Sequence, residues 1–360
     1  MKSLIFGYGL TGQSFERYLN NKGIDFEIYD DEVIGPNINN ILPDQKKLES
    51  YEMIYLSPGI NLKKIYPKGE FDQIPYLTDI DIFFQEDKSY KIGITGTNGK
   101  STCCYHLHQI LDGSQLIGNI GKPVLDSINF CPYSIIELSS FQLEKVKEIK
   151  LDLGVLLNIS PDHIDHHGCF EEYKRVKNRI LESKKSTEES DPKKLWSMVM
   201  GIDHKVVGDI QFTDLPHRSE VLDSSNLSRY YINGSFINDS KATNIAALEF
   251  ALNKMHSSYS LILCGDPNKE QYKNYKIIGP KKVIIFGSYA REIYKRIAHP
   301  QKILLHNQDL ASAMLEARGD MFSSLIKTVL FSPGHPSGND YKDFEQRGDH
   351  FKQLVQEIFG

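Results

Sequence analysis

The 360-residue chain has no apolar run long enough to cross a bilayer and no secretory leader, so a cytoplasmic protein without membrane attachment is expected. Its five cysteines are odd in number, scattered, and never spaced Cys-x-x-Cys, which excludes a disulfide framework and a thiolate zinc site. Cys103 and Cys104 read as core residues of a helix. Charge of one sign is also missing: the net value of −5 argues against bulk nucleic-acid binding. No internal repeat stands out beyond a weak echo among similar α/β units. What remains is ordinary for a globular protein of two or three domains, with 40% apolar and 25% charged residues.

The stretch that organises the chain is Ile92-Gly-Ile-Thr-Gly-Thr-Asn-Gly-Lys-Ser-Thr102. Tyr90, Ile92 and Ile94 predict a strand, Gly96 and Gly99 a turn, and Gly-Lys-Ser-Thr the start of a helix. Such a turn offers backbone N–H groups and the positive end of a helix dipole to phosphate. Lys100 is suited to neutralise β- and γ-phosphates, and the hydroxyl of Ser101 or Thr102 to bind Mg²⁺. The strict Walker spacing is not met, because Ile94 stands where its first glycine would be.

Upstream, Leu4-Ile-Phe6 runs into Gly7-Tyr-Gly-Leu-Thr-Gly12, and a second strand, Phe26-Glu-Ile-Tyr29, ends at Asp30 and Asp31. Three glycines at a strand–helix turn and an acid about 20 residues on have the form of a dinucleotide fingerprint. The form equally suits any ligand that brings a diphosphate to a helix N-terminus. After the strand at Met53 to Leu56, Ser57-Pro-Gly59 reads either as a plain turn or as the edge of a ligand crevice. Glu86 to Ser89 is a polar break, and a domain boundary is expected there.

Beyond the loop helix, strands at 133–137 and 153–158 alternate with helices, predicting a mostly parallel sheet with ligand residues at strand C-terminal ends, where Glu137 and Asn158 fall. Ser183 to Asp191 reads as a solvated connection, and a helix resumes at Leu195 until Gly201. Strands at 261–264, 283–286 and 328–331 predict a further α/β unit. The expected fold is therefore α/β with three Rossmann-like domains, residues 1–88, 89–213 and 214–360, the central one a shortened P-loop-type ATPase domain.

Six stretches resemble the Mur ligases and occur in that family's order: the phosphate loop, Glu137-Leu-Ser-Ser-Phe-Gln-Leu-Glu144, Asn158-Ile-Ser-Pro-Asp-His163, Leu215-Pro-His-Arg218, Asn238-Asp-Ser-Lys-Ala-Thr-Asn244 and Phe344-Glu-Gln-Arg-Gly348. They span nearly the whole chain, and the second and fifth favour the D-glutamate-adding members. The resemblance implies that Gly96, Thr97, Asn98, Gly99, Lys100, Ser101, Thr102, Asn119, Arg218 and Asp239 hold ATP. It implies two Mg²⁺ ions on Ser101, Glu137, His163 and Lys177, the last as a carbamate, with Lys100, His163, Lys177, Arg218 and Lys241 catalytic. Leu10, Thr11, Asp30, Ser139, Gln142, Thr243, Lys269, Ser337 and Phe344 would bind substrates, namely UDP-N-acetylmuramoyl-L-alanine and D-glutamate. A monomer is expected, with neither nucleic acid nor NAD as a partner.

This chain also departs from the family pattern. The span from Lys177 to Arg218 is short, and Ser186 to Glu189 lies where a His-Asn-x-x-Asn motif that helps hold adenine is usual. Cys264-Gly-Asp-Pro-Asn-Lys269 has an extra residue before its lysine, and Ser332-Pro-Gly-His-Pro-Ser337 introduces His335, which reads as a packed or solvated loop residue. The competing reading is a nucleotide-binding relative with a scaffold or sensing role and reduced turnover.

Overall fold

The computed structural model describes residues 2–69, 71, 74–213, 215–222, 235–269, 274–323 and 326–360, without the side chains of 269, 322 and 323. The chain forms two compact units, Met1–Phe212 and Thr213–Gly360.

The first unit holds two five-stranded parallel sheets. In one, the order is Ile38–Asn39, Phe26–Tyr29, Ser3–Phe6, Ile54–Leu56 and Tyr76–Leu77. In the other it is Lys185–Thr187, Leu153–Leu156, Tyr90–Thr95, Tyr133–Glu137 and Ser114–Gly118. Strand Tyr90–Thr95 is central and covered on both faces, which is why its Ile92 and Ile94 are fully buried. One apolar cluster contains Phe15, Ile80, Phe83, Val124, Leu138 and Leu143, so helix Asp79–Glu86 shares its core with both sheets.

At the polar break before the loop strand, Asp87, Ser89 and Lys91 are buried. They satisfy one another, with the Asp87 carboxylate accepting from the backbone N–H and hydroxyl of Ser89 and Lys91 Nζ donating to the Asp87 carbonyl at 2.6 Å. The charged run 183–191 is more than the solvated connection expected. Lys185–Thr187 pairs in parallel with Leu153, Gly154 and Val155 as an edge strand. Edge strands tolerate polar side chains, so composition concealed it.

The second unit is a six-stranded sheet ordered Glu220–Leu222, Ser235–Asn238, Thr328–Phe331, Tyr259–Leu263, Lys282–Gly287 and Lys302–His306. Its pairings are parallel except the first. Helix Phe344–Phe359 lays Phe351, Leu354, Val355 and Phe359 into the core, the i, i+3, i+4 stripe of an amphipathic helix. The described residues are thus α/β with three large, mainly parallel sheets and one short pair, Tyr275–Lys276 with Ile297–Ala298. No helix among the described residues is long and apolar enough to cross a membrane.

Candidate active site

The turn after strand Tyr90–Thr95 leads into helix Lys100–Ile110, with Gly99 at φ 83° as its N-cap. That left-handed backbone is the reason a glycine precedes Lys100. Asn158, at the end of the neighbouring strand, braces the turn from both sides. Its Oδ1 accepts from Asn98 N at 3.0 Å, its Nδ2 donates to Asn98 O at 2.9 Å, and its carbonyl accepts from Thr97 N at 2.9 Å. The turn is therefore preorganised, and Asn158, expected with Glu137 where ligand residues fall, braces it. Thr97 adds a link through its hydroxyl to Tyr173, at 3.0 Å.

Lys100 Nζ folds back on the turn, donating to the carbonyls of Gly96 and Thr97 at 2.8 and 2.9 Å. Lys177 does the same from helix Phe170–Asn178: its Nζ donates to Gly96 O at 2.8 Å and contacts Thr95 Oγ1 at 3.2 Å. A surface position for Lys177 is excluded, since it is 2% exposed. Burial first, and the Lys100 charge second, push its pKa well below the usual lysine value; Asp162 and Glu137 oppose this weakly.

Glu137 ends the adjacent strand and is 2% exposed. Asn119 Nδ2 donates to its Oε1 at 2.8 Å, while Oε2 is buried without a hydrogen-bond partner. A buried, unpaired carboxylate oxygen is costly unless a cation meets it. With the Ser101 hydroxyl, buried in the first turn of the loop helix, it offers the hard oxygen donors that Mg²⁺ takes, so the residues present fit that ion. His163 sits at φ 51°, an uncommon conformation for a non-glycine residue, where it caps helix Ile164–His167.

At the first glycine turn, Gly12 has no room for a side chain: a Cβ would stand 2.1 Å from Gly7 O. Leu10 is exposed and Thr11 half-buried beside it. Asp30 is buried, with both carboxylate oxygens engaged by backbone N–H groups, Tyr8 on one and Glu32 and Val33 on the other. Burial alone would raise its pKa, yet those hydrogen bonds bring it down. Its backbone partners make it a brace for the glycine turn. Ser139 and Gln142, expected at a substrate, form the reciprocal capping box of helix Ser140–Lys145. The Ser57 turn packs on the same region, with Ser57 Oγ donating to Gly7 O at 2.8 Å.

In the second unit, three of the sequence stretches meet at Arg347, which is fully buried. Its Nη2 donates to Ser240 O at 2.7 Å, Nη1 to His335 O at 3.1 Å, and Nε to Ser240 Oγ at 3.2 Å. Arg347 was missed as a site residue. The signal was present, since it lies four residues before Phe351 on the buried stripe. Gly348 completes the junction, because a Cβ there would stand 2.1 Å from His217 Nδ1.

Lys241 Nζ lies 3.6 Å from the centre of the Phe344 ring, so these two expected residues are together. Asp239 accepts from Ser332 Oγ at 2.7 Å and Ser219 N at 3.0 Å, and burial raises its pKa to about 6. Thr243 is half-buried between Ala242 and Asn244, the cap of helix Ile245–Asn253. Arg218 closes a turn that starts at Leu215, its N–H donating to the Leu215 carbonyl at 3.2 Å, just before strand Glu220–Leu222. Ser337 Oγ is buried with no hydrogen-bond partner. His335 is packed rather than solvated: Nε2 pairs with Tyr275 OH at 3.1 Å, and burial, with Arg296 and Arg347 adding, pulls its pKa to about 3. Lys269 ends a short 3-10 turn, and its side chain lies outside the described residues.

Residues 94–270 match the profile of the Mur ligase middle domain. Two relatives carry the name UDP-N-acetylmuramoylalanine--D-glutamate ligase. The one from Francisella philomiragia is 30% identical over 423 aligned residues, covering 99% of this chain and 97% of the relative. The one from Saccharophagus degradans is 28% identical over 452, covering 99% and 97%. Among solved structures, the MurF ligase from Thermotoga maritima in complex with ADP superposes with a TM-score of 0.55 at 13% identity, over 99% of this chain and 95% of that one. A pseudomurein peptide ligase type C from Methanothermus fervidus gives 0.55 at 17%, over 99% and 100%. These two support the fold alone. The braced phosphate turn and the near-complete match at 30% identity together establish the conclusion that the chain belongs to the Mur ligase family of ATP-dependent amide ligases.

Proposed function

We propose that this ligase joins D-glutamate to UDP-N-acetylmuramoyl-L-alanine during cytoplasmic assembly of peptidoglycan precursors. The substrate pair rests on the relatives that carry that name, and the chemistry on one observation: Lys100 and the buried Lys177 converge on the phosphate turn, with the buried Glu137 at the end of the adjacent strand. In the first step a carboxylate oxygen of the terminal L-alanine attacks the γ-phosphorus of ATP. The bond to the bridging oxygen breaks, giving an acyl phosphate and ADP. In the second, the neutral amine of D-glutamate attacks the activated carbonyl, and the tetrahedral intermediate expels phosphate as the amine loses its proton.

Bringing a carboxylate to a triphosphate crowds negative charge, and fixed cations and positioning are what lower that barrier. Lys100 would leave the carbonyls of its own turn for phosphate oxygens. Ser101, Glu137, His163 and a Lys177 carbamate are the residues we assign to Mg²⁺, which when bound supplies charge neutralisation at the phosphates. The carbamate requires the neutral amine that burial favours: the nitrogen attacks CO₂, forms the N–C bond and releases one proton. Asn119 would hold the Glu137 carboxylate in place. In the second unit we assign Arg218 and Asp239 to the nucleotide, and Lys241, Thr243, Lys269, Ser337 and Phe344 to the acceptor amino acid. Leu10 and Thr11 would border the uridine diphosphate at the first glycine turn. The test is phosphate release with ATP, UDP-N-acetylmuramoyl-L-alanine and a panel of D- and L-amino acids. Release that depends on D-glutamate alone supports the reading, and preference for another amino acid overturns it.

A further inference from the structure

Beside the phosphate turn, where Tyr173 both meets Thr97 and packs on His167, one ring nitrogen each of His166 and His167 and a carboxylate oxygen of Glu144 lie within 4.8 Å of one another. The two histidines end helix Ile164–His167, and Glu144 lies near the end of helix Ser140–Lys145. Each imidazole has one nitrogen already held. His166 Nδ1 meets Asn61 Nδ2 at 3.1 Å, and His167 Nε2 meets Ser140 Oγ at 3.0 Å. The other nitrogens are left for the cluster: His166 Nε2 lies 2.6 Å from Glu144 Oε2, and His167 Nδ1 is buried with no hydrogen-bond partner. His167 itself is 7% exposed, so that nitrogen is shielded from bulk solvent.

His167 fits the pattern of a ligating histidine, since its Nε2 can donate to Ser140 Oγ while Nδ1 stays unpartnered; His166 joins it once its proton moves from Nε2 to Nδ1 and the Asn61 amide turns its oxygen to accept it, giving up the contact of Oδ1 with Lys64 N. We propose that Glu144, His166 and His167 form a binding site for a borderline divalent transition metal of the zinc class. Two imidazoles and one carboxylate suit zinc far better than magnesium, which prefers oxygen donors alone. Three protein ligands leave a fourth position for water or a substrate oxygen. The ion would take the place of the proton now shared between His166 and Glu144. Lys63 Nζ, 3.8 Å from Glu144 Oε1, is the one cation paired with this carboxylate among the described residues; at 80% side-chain exposure it is free to swing away. Because Asn61 follows the Ser57 turn, a bound ion would also fix that turn against helix Ile164–His167.

The test is zinc titration of the full-length, chelator-treated protein against a chromophoric competitor, in a large excess of magnesium, with cobalt absorption reporting the coordination. One ion should bind, with the visible bands of a four-coordinate nitrogen–oxygen site. Glu144→Gln, which keeps shape, and His166→Ala should each weaken zinc by on the order of tenfold or more. Circular dichroism of both variants checks that they fold. Absence of zinc binding by the parent chain, displacement by magnesium, or unchanged affinity in folded Glu144→Gln would each overturn the proposal.

Discussion

Lys100 and Lys177 converge on a single oxygen, each Nζ lying 2.8 Å from the Gly96 carbonyl. Two ammonium groups held so close, one of them buried, favour loss of a proton from the buried one. A neutral amine is what CO₂ requires. Lys177→Ala is therefore expected to lose on the order of 10²–10³ in kcat and to recover part of it with an added small carboxylate such as acetate. In the parent protein, ¹³C-bicarbonate should give a carbamate carbon resonance that is missing from the variant. Full activity of Lys177→Ala without additive would rule the carbamate out.

Arg347 ties Ser240 and the His335 carbonyl together with three donors in a fixed plane. A lysine in its place reaches one of those acceptors and leaves the others buried and unpaired. Arg347→Lys should cost roughly 3–6 kcal/mol of stability, at about 1.5–3 kcal/mol for each of the two charged hydrogen bonds lost. The urea midpoint followed by circular dichroism measures this. An unchanged midpoint would mean that the junction tolerates rearrangement.

Asp79, in the first turn of its helix, is fully buried with Oδ1 unpaired, and burial raises its pKa to about 7. The sign follows from proton binding: the folded state holds this proton more tightly than the unfolded chain, so stability falls as pH rises from near 4 through 7. Asp79→Asn removes the ionisation. The variant should gain Tm relative to the parent as pH rises from 5 to 8, by several degrees at the upper end. Differential scanning calorimetry across that range checks it, and a pH-independent difference would contradict the assignment.

Adenine recognition is the place where the short central segment should matter. Glu189 Oε1 accepts from Ser190 N and Asp191 N, its Oε2 pairs with Lys194, and Asp191 caps helix Pro192–Met200. These groups are committed to the turn. One or two missing amide contacts, each worth about 0.5–1.5 kcal/mol net, translate to roughly tenfold in nucleotide affinity. GTP should then support turnover within about tenfold of ATP in kcat/KM. A preference of about a hundredfold for ATP would place base recognition on other residues.

The phosphate turn was legible because it combines an apolar strand with glycines that only a left-handed backbone needs. Its neighbours were legible as positions but not as partners: nothing local in the sequence says that Asn158 braces Asn98, or that Lys177 turns inward. Asp30 shows a related ambiguity. An acid after the second strand has one sequence signature whether it holds a ribose or the backbone N–H groups of Tyr8, Glu32 and Val33. Strand Lys185–Thr187 left no alternation to read because it is a three-residue edge. Arg347 was readable in principle, as a charge on an apolar stripe, since a cation there must find acceptors inside the fold.

In the proposed reaction a carboxylate is activated as an acyl phosphate and then taken by D-glutamate. The most direct measurement uses UDP-N-acetylmuramoyl-L-alanine labelled with ¹⁸O in its carboxylate, with ATP, Mg²⁺ and D-glutamate, and mass spectrometry of both products. One labelled oxygen should appear in the phosphate released at each turnover, and the UDP-sugar should gain a single glutamate residue. Unlabelled phosphate, or a UDP-sugar left without glutamate while ATP is consumed, would contradict it.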